Sequence, residues 1–381
     1  MKKKITILGS TGSIGINALK IINLNKNSFF INVLMANSNL KRITSQLKKY
    51  KPKYFIISDP KIYKKMLKKF KNSKTKIINS YLGLSNLRND ITLSAISGIA
   101  GLEPTIFFSK KSKKLLLANK ESIICGWKIL EKTIKKNKTN LIPLDSEHFS
   151  LMKLLEKEKE EIERIYITAS GGPFLRKKNI KNIRPNEALK HPKWSMGKKI
   201  SIDSATLMNK IFEIEEARLL FPKIAKKIDI IIHPQSLVHA IIQLKNGTSK
   251  FIFHNPDMRI PIANAIYDSN LDIKKIIKKD KNEISGKLEF MKINKKNFPP
   301  LKFIKAINRY TSSPIIINAA NEILVDMFLR KIISFGSIIR HLGLVLTDKK
   351  YKKYAIKKPK NIKEIMAIDL WARKTTLNLT K

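Results

Sequence analysis

Two carboxylates stand two residues apart, at Asp145 and Glu147, directly after the apolar run Leu141–Leu144. If that run is a strand, period-2 alternation puts both acids on one face at its end. Carboxylates that close repel each other unless a cation lies between them, and hard cations such as Mg2+ or Mn2+ take oxygen ligands. The alternative is a pair of solvated loop acids. A third acid could join them, because Asn209 and Glu213 are one helical turn apart on one face. Asp203 and Ser204 are both good N-caps, so a helix is expected from about Asp203 to about Leu220. Ser204 would then sit at its start, where free N–H groups favour an anion. Asn209 and Lys210 add polar donors one turn on. Such a segment could hold a phosphate at one end and a metal at the other; the alternative is a capped surface helix.

A second group is built from glycine. Residues 4–8 are a short β-rich run that leads into Gly9, Gly12 and Gly15, and an amphipathic stretch with Ala18, Leu19 and Ile22 follows. A glycine turn between a first strand and a helix can hold a pyrophosphate on backbone N–H groups and the helix dipole. The alternative is a tight turn without a ligand. The second strand ends at Met35-Ala36-Asn37-Ser38-Asn39 with no acid to take a ribose 2′-hydroxyl. Ser38, Asn39, Lys41 and Arg42 suit a 2′-phosphate, so NADPH is expected rather than NADH. Among the six histidines, His191 lies with Trp194 and Met196 in a segment of little periodic pattern. Apolar residues in such a segment suggest a lid. His233 and His239 flank an apolar run and read as structural.

These groups need elements to hold them. Strands are expected at Phe30–Met35, Tyr54–Ser58, Ile91–Ile96, Leu115–Ala118 and Leu141–Leu144, with helices at Leu40–Tyr50 and Ser122–Lys136. Strands alternating with helices imply βαβ units and a parallel sheet. Farther on, strands are expected at Ile165–Thr168, Ile228–Ile232, Val238–Leu244 and Lys250–Phe253. From about Pro299 the pattern is helical, as in Ile316, Ala319, Ala320, Ile323, Leu324 and Met327.

Composition narrows the class. The 381 residues include 77 Lys and Arg against 29 Asp and Glu, a formal net charge of +48. That excess attracts polyanions. However, Lys far outnumbers Arg, Asn and Ile are also abundant, and the lysines are spread along the chain. We therefore expect a basic surface without a specific nucleic-acid partner. The one cysteine, Cys125, cannot form an intramolecular disulfide. The apolar stretch after Met1-Lys2-Lys3-Lys4 is too short for a signal peptide, and no uncharged apolar run reaches the ~18 residues of a membrane span. A cytoplasmic protein without membrane partners is expected.

The ordered motifs closely resemble the 1-deoxy-D-xylulose-5-phosphate reductoisomerase family along the whole chain. They are Gly9-Ser-Thr-Gly-Ser-Ile-Gly15, Leu117-Ala-Asn-Lys-Glu-Ser122, Asp145-Ser-Glu-His148, Ser170-Gly-Gly-Pro-Phe174, His191-Pro-Lys-Trp-Ser-Met-Gly197 and Lys199-Ile-Ser-Ile-Asp-Ser-Ala-Thr206. Met208-Asn-Lys210 with Glu213, His233-Pro-Gln-Ser236, Pro256-Asp-Met-Arg-Ile-Pro261 and Asn318-Ala-Ala-Asn-Glu322 continue them. The resemblance implies an α/β Rossmann-like dinucleotide-binding domain at 1–145 and an α+β catalytic and dimerisation domain at 146–265 with a mobile lid at 171–198. A linker at 266–298 and an all-helical C-terminal domain at 299–381 would follow, in a homodimer. It implies an NADPH-dependent oxidoreductase that also needs Mg2+, Mn2+ or Co2+, and that rearranges and reduces a phosphorylated sugar on the non-mevalonate isoprenoid route.

Carried over, Asp145, Glu147 and Glu213 would bind the cation. Thr11, Gly12, Ser13, Ile14, Asn37, Ser38, Asn39, Asn119, Glu121 and Gly197 would line the cofactor. Lys120, Ser146, Glu147, Ser170, His191, Trp194, Ser204, Asn209, Lys210 and Glu213 would surround the substrate, with Lys120, Glu147, His191 and Glu213 in catalysis. The family commonly has Gly and a basic residue where this chain has Asn37 and Ser38, so Lys41 or Arg42 is expected to substitute. A semialdehyde dehydrogenase of similar build would need a nucleophilic cysteine, and Cys125 lies in no activating motif.

Overall fold

The computed structural model describes residues 1–177, 183–194, 196–277, 287–293 and 299–380. In chain order, β1 (Lys3–Leu8), α1 (Ser13–Leu24), β2 (Phe29–Ala36), α2 (Leu40–Tyr50), β3 (Tyr54–Ile57), α3 (Pro60–Lys69) and β4 (Lys76–Ile78) open the fold. They are followed by β5 (Asn89–Ser94), α4 (Leu102–Ser109), β6 (Ser112–Leu117), α5 (Lys120–Ile124), α6 (Trp127–Asn137), β7 (Asn140–Pro143) and α7 (Ser146–Leu155). The expected alternation of strand and helix is present, and α3, β4 and α4 add units that the apolar pattern did not mark.

The seven strands form one sheet in the order β4-β3-β2-β1-β5-β6-β7, and every pairing is parallel. The order reverses between β1 and β5, the place where open α/β sheets bind ligands beyond their strand ends. Register makes those ends level: Leu8 pairs with Met35 and Ser94, Ser94 with Leu117, and Leu117 with Pro143. The strands are buried on both faces, so they read as unbroken apolar runs such as Phe55-Ile56-Ile57 and Leu115-Leu116-Leu117. Each such side chain contributes about 1.5–3 kcal/mol by leaving water.

The second part begins with β8 (Ile162–Ala169), α8 (Pro185–Ala188), α9 (Lys198–Ala205), α10 (Met208–Leu220), β9 (Ile228–Ile232), β10 (Val238–Leu244), β11 (Ser249–Phe253) and α11 (Arg259–Tyr267). Its sheet has the order β11-β10-β8-β9, antiparallel at β10 and parallel between β8 and β9. From Pro299 on, the regular elements are helical: α12 (Phe303–Ile307), α13 (Ser313–Leu329), α14 (Phe335–Thr347), α15 (Tyr351–Ala355) and α16 (Ile362–Leu379). No helix among the described residues is long and apolar enough to cross a membrane.

Two compact units emerge. The first holds residues 1–122, 128–149 and 258–277; the second holds 123–127, 150–257 and the described residues from 287 onward. The expected domain boundaries put 258–265 in the catalytic domain. In the fold, Ile262, Ala263, Ala265 and Ile266 of α11 belong to the same buried cluster as Ile5, Leu19 and Ile22, and Tyr267 meets Phe29 edge-on at 5.4 Å.

Two expected helices are each broken in two. The Ser122–Lys136 stretch divides between α5, which ends at Ile124, and α6, which starts at Trp127. The reading from Asp203 to Leu220 fails because α9 starts earlier and ends at Ala205, and Leu207 then turns the chain with φ +61° before α10 begins. A leucine in the left-handed region is costly and carries no local sequence signal. Ser204 therefore stands at a helix end, not at a helix start.

Candidate active site

In the first unit the glycine loop follows β1 and opens α1. Gly9 has φ +82°, and a Cβ there would lie 2.5 Å from the Ala95 carbonyl oxygen. A Cβ on Gly15 would lie 2.4 Å from the Gly9 carbonyl oxygen. Only glycine lets the loop fold this tightly against its own helix. Gly12 is the N-cap of α1 and brings no side chain to the orphan amides. The loop of Thr11, Gly12, Ser13 and Ile14 thus leaves backbone donors at the positive end of a 12-residue helix, which suits a pyrophosphate.

The loop after β2 lies against the same place. Asn39 caps α2, its Oδ1 accepting from the Arg42 amide at 3.1 Å. The Arg42 Nη1 donates to the Thr11 carbonyl at 2.6 Å. Asn37, Ser38, Asn39 and Lys41 are exposed around this contact. Asn119 and Glu121 follow β6. The Asn119 amide donates to the carbonyls of Ile96 (2.6 Å) and Gly98 (3.0 Å) and to Glu121 (2.9 Å), and its oxygen accepts from the Ser122 amide (2.9 Å). Asn119 is thereby engaged on both ends, fixing the loop that presents Lys120.

After β7 the geometry differs from the strand-face expectation. β7 ends at Pro143, and Asp145 is the N-cap of α7: its Oδ1 accepts from the Glu147 amide at 3.3 Å and its carbonyl from the Phe149 amide at 2.8 Å. A cap of this kind contributes about 1 kcal/mol. The two carboxylates are neighbours because a helix starts there, not because strand residues alternate. Lys120 Nζ lies 3.1 Å from Asp145 Oδ2, and the buried His148 places Nδ1 3.2 Å from Asp145 Oδ1. Ser146 donates to Glu147. His148 had no role in the sequence reading; its position three residues after Asp145 at a helix start was the available signal.

In the second unit, Asn209 donates to Glu213, and Lys210 is ion-paired with Glu213 one turn away on α10. Lys210 and Glu213 are buried, whereas Ser204 and Asn209 keep partial exposure. Ser170, after β8, meets His191 Nε2 at 2.9 Å, and its hydroxyl accepts from the Gly172 amide at 3.1 Å. His191 Nδ1 accepts from the Trp194 amide at 2.9 Å. Burial pushes the His191 imidazole down to about 4, so it is neutral near pH 7. Trp194 is half-buried and meets His239 edge-on at 5.9 Å; His239 in turn stacks on His254 at 3.9 Å. Gly171 and Gly172, with φ +82° and +69°, start the expected lid segment. Within 171–198, residues 178–182 and 195 lie outside the described residues. Gly197 is the N-cap of α9.

Comparisons with known proteins point to one family. Family profiles match in three parts: 1-deoxy-D-xylulose 5-phosphate reductoisomerase at residues 5–126, and two descriptions of that enzyme's C-terminal domain at 141–221 and 253–375. A 1-deoxy-D-xylulose 5-phosphate reductoisomerase of Pelagibacter ubique is 43% identical over 96% of this chain and 97% of its own. The enzyme of Thermodesulfovibrio yellowstonii is 40% identical over 98% of each. Among solved structures, a reductoisomerase in complex with NADPH, fosmidomycin and magnesium has a TM-score of 0.90 at 31% identity, covering 99% of this chain and 98% of that one. The Zymomonas mobilis enzyme in complex with NADPH has a TM-score of 0.85 at 31% identity over 100% of both.

Proposed function

The chain belongs to the 1-deoxy-D-xylulose 5-phosphate reductoisomerase family, and on that premise we propose how its residues divide the reaction. The protein is an NADPH-dependent oxidoreductase that uses a divalent cation to convert 1-deoxy-D-xylulose 5-phosphate into 2-C-methyl-D-erythritol 4-phosphate for isoprenoid biosynthesis. The observation that carries the reading is the Asp145–Glu147 carboxylate pair, organised at the start of α7 with the Lys120 ammonium 3.1 Å from Asp145.

Asp145, Glu147 and Glu213 would hold the cation; their oxygen-only donor set fits Mg2+, Mn2+ or Co2+. Thr11, Gly12, Ser13 and Ile14 would take the NADPH pyrophosphate, and Ser38, Asn39 and Arg42 its 2′-phosphate. Asn119, Glu121 and Gly197 would complete the cofactor's surroundings. When bound, the cation supplies Lewis-acid polarisation of the substrate's hydroxy-ketone, and NADPH supplies hydride. Lys120 Nζ then stabilises negative charge developing on a substrate oxygen, or passes it a proton. Ser146 steadies the Glu147 carboxylate. Ser170, Ser204, Asn209 and Lys210 grip the phosphate, and the neutral His191 offers a hydrogen bond rather than a competing charge. Closure of 171–198 with Trp194 over the substrate excludes water.

The finer domain plan is also our proposal. It comprises a cofactor domain at 1–145, a catalytic and dimerisation domain at 146–265, a linker at 266–298 and a helical domain at 299–381, with α11 packed into the first unit's core. Within the linker, residues 278–286 and 294–298 lie outside the described residues. A homodimer is part of the same proposal. A cytoplasmic location is likewise part of the proposal.

The test is NADPH oxidation followed by nicotinamide absorbance. The signal should fall only with both deoxyxylulose phosphate and Mg2+ or Mn2+, stop with a chelator and resume when the cation is restored. A rate that persists in chelator, or that ignores the sugar phosphate, would overturn the reading.

A further inference from the structure

The motif Asn318-Ala-Ala-Asn-Glu322 lies on α13, among the C-terminal helices, and none of its residues has a part in the chemistry described so far. Asn321 is fully buried in a helix whose buried neighbours are Ile316, Ile317, Ala319, Ala320, Leu324 and Val325. Its Nδ2 donates to Asp203 Oδ1 at 2.8 Å, across 118 residues of chain. Its own Oδ1 has no hydrogen-bond partner among the described residues. A buried amide with half of its capacity unmet weakens an apolar helix, so it has to be explained by the acceptor it serves.

That acceptor is one residue before Ser204. Asp203 is 1% exposed, and its second oxygen takes Lys199 Nζ at 2.8 Å. The helix that carries Ser204, α9, is only eight residues long, has no side-chain cap at Gly197 and ends against the strained Leu207. A helix of that length does not hold itself in water. Its rotation about its own axis must come from tertiary contacts, and pinning Asp203 fixes where Ser204 points one residue on. On the Ser204 side the fit is tight: a Cβ on Gly172 would lie 2.8 Å from the Ser204 carbonyl oxygen. Gly172 in turn donates its amide to Ser170, so the two serines are tied through one glycine.

We propose that Asn321 is a positioning residue for the substrate's phosphate, holding Asp203 and through it the Ser204 end of α9. The proposal rests on the reading of Ser204 as a phosphate ligand. Asn321 touches neither substrate nor cofactor; its effect should be read in how the phosphate is held.

The experiment compares Asn321→Leu, Asn321→Ser, Asn321→Asp, the swap Asp203→Asn with Asn321→Asp, and Ser204→Ala. KM for deoxyxylulose phosphate, inhibition by inorganic phosphate, kcat, the NADPH dissociation constant and the melting temperature are measured for each. Asn321→Leu and Asn321→Ser should each raise KM and weaken phosphate inhibition about tenfold, with NADPH binding unchanged and kcat within about threefold. Asn321→Asp, which sets two carboxylates face to face, should do more. The swap should recover most of the loss, because it keeps one amide and one carboxylate in the pair, and the amide moved onto α9 can donate to the carboxylate on α13 while its oxygen still accepts from Lys199. Loss of melting temperature without a change in KM or phosphate inhibition would reduce Asn321 to a packing residue and overturn the proposal. So would a swap that is no better than Asn321→Asp alone. If Ser204→Ala leaves KM and phosphate inhibition unchanged, the phosphate reading itself fails; if it raises KM and weakens phosphate inhibition while Asn321→Leu and Asn321→Ser do neither, only the present proposal fails.

Discussion

The loops proposed to face the cofactor and the residues proposed to face the phosphate are built by different means. In the first unit, the residues at issue stand beyond a level row of parallel strand ends, Leu8, Met35, Ser94, Leu117 and Pro143, and much of what they offer is backbone. In the second unit, Ser170, His191, Ser204, Asn209 and Lys210 stand on loops and helix ends, tied by side-chain hydrogen bonds such as Ser170–His191 and Asn209–Glu213. A backbone-built site tolerates many side chains but rejects an added Cβ. A side-chain-built site tolerates small backbone changes but loses grip with each donor. The two kinds of damage should therefore separate in kinetics.

The largest expected effect on nucleotide binding is on the backbone-built side. Gly15→Ala sets a methyl 2.4 Å from the Gly9 carbonyl oxygen and 2.6 Å from the Ser10 Cα, and both of these are backbone atoms. The loop must shift, and NADPH binding should weaken by about a hundredfold. Fluorescence titration with NADPH checks this, and retained affinity would show that the loop is not a close-fitting cradle.

A smaller effect is expected at Trp194. Trp194→Ala should lower kcat/KM about tenfold through the closed state. The edge contact with His239 is worth only about 1 kcal/mol, so the fold should barely weaken. A variant that melts several degrees earlier yet turns over normally would make Trp194 a packing residue and remove the lid from the account.

The smallest effect concerns His191. Its folded pKa, about 4, is below the 6.5 of an unfolded histidine. The unfolded chain therefore binds the extra proton first on acidification. The stability this group contributes is intact above about pH 6.5 and is lost as pH falls toward 4. His191→Asn should flatten that part of the curve of melting temperature against pH and leave the region above pH 7 unchanged. An unaltered acid slope would place His191 in water rather than against Ser170.

What could be read from the sequence follows the same division. The glycine loop is local: three glycines, a strand before and a helix after, so spacing alone located it. The central strands were visible because burial on both faces leaves unbroken apolar runs. The expected span of α2 matched, helped by Asn39 as its cap. By contrast, nothing near Leu207 marks the break between α9 and α10, since the turn there is imposed on an ordinary leucine by its surroundings. The return of α11 to the first unit is a long-range packing event with no local signature. Asp145 was read as a strand residue because a helix cap and a strand end look alike over three residues. The pairing of Asp203 with Asn321 spans 118 residues and was beyond any pattern.

The central claim is that Glu213, on the side-chain-built half, serves the cation and not the nucleotide. Glu213→Gln keeps shape and hydrogen-bonding capacity toward Asn209 but removes the charge. Turnover of deoxyxylulose phosphate with saturating Mg2+ or Mn2+, measured beside the NADPH dissociation constant of the same preparation, tests the claim directly. We expect a loss of about a thousandfold or more in kcat, in line with removing a charged group from a metal site, with NADPH binding within about twofold of the parent. Near-normal turnover, or NADPH binding lost in step with activity, would contradict it.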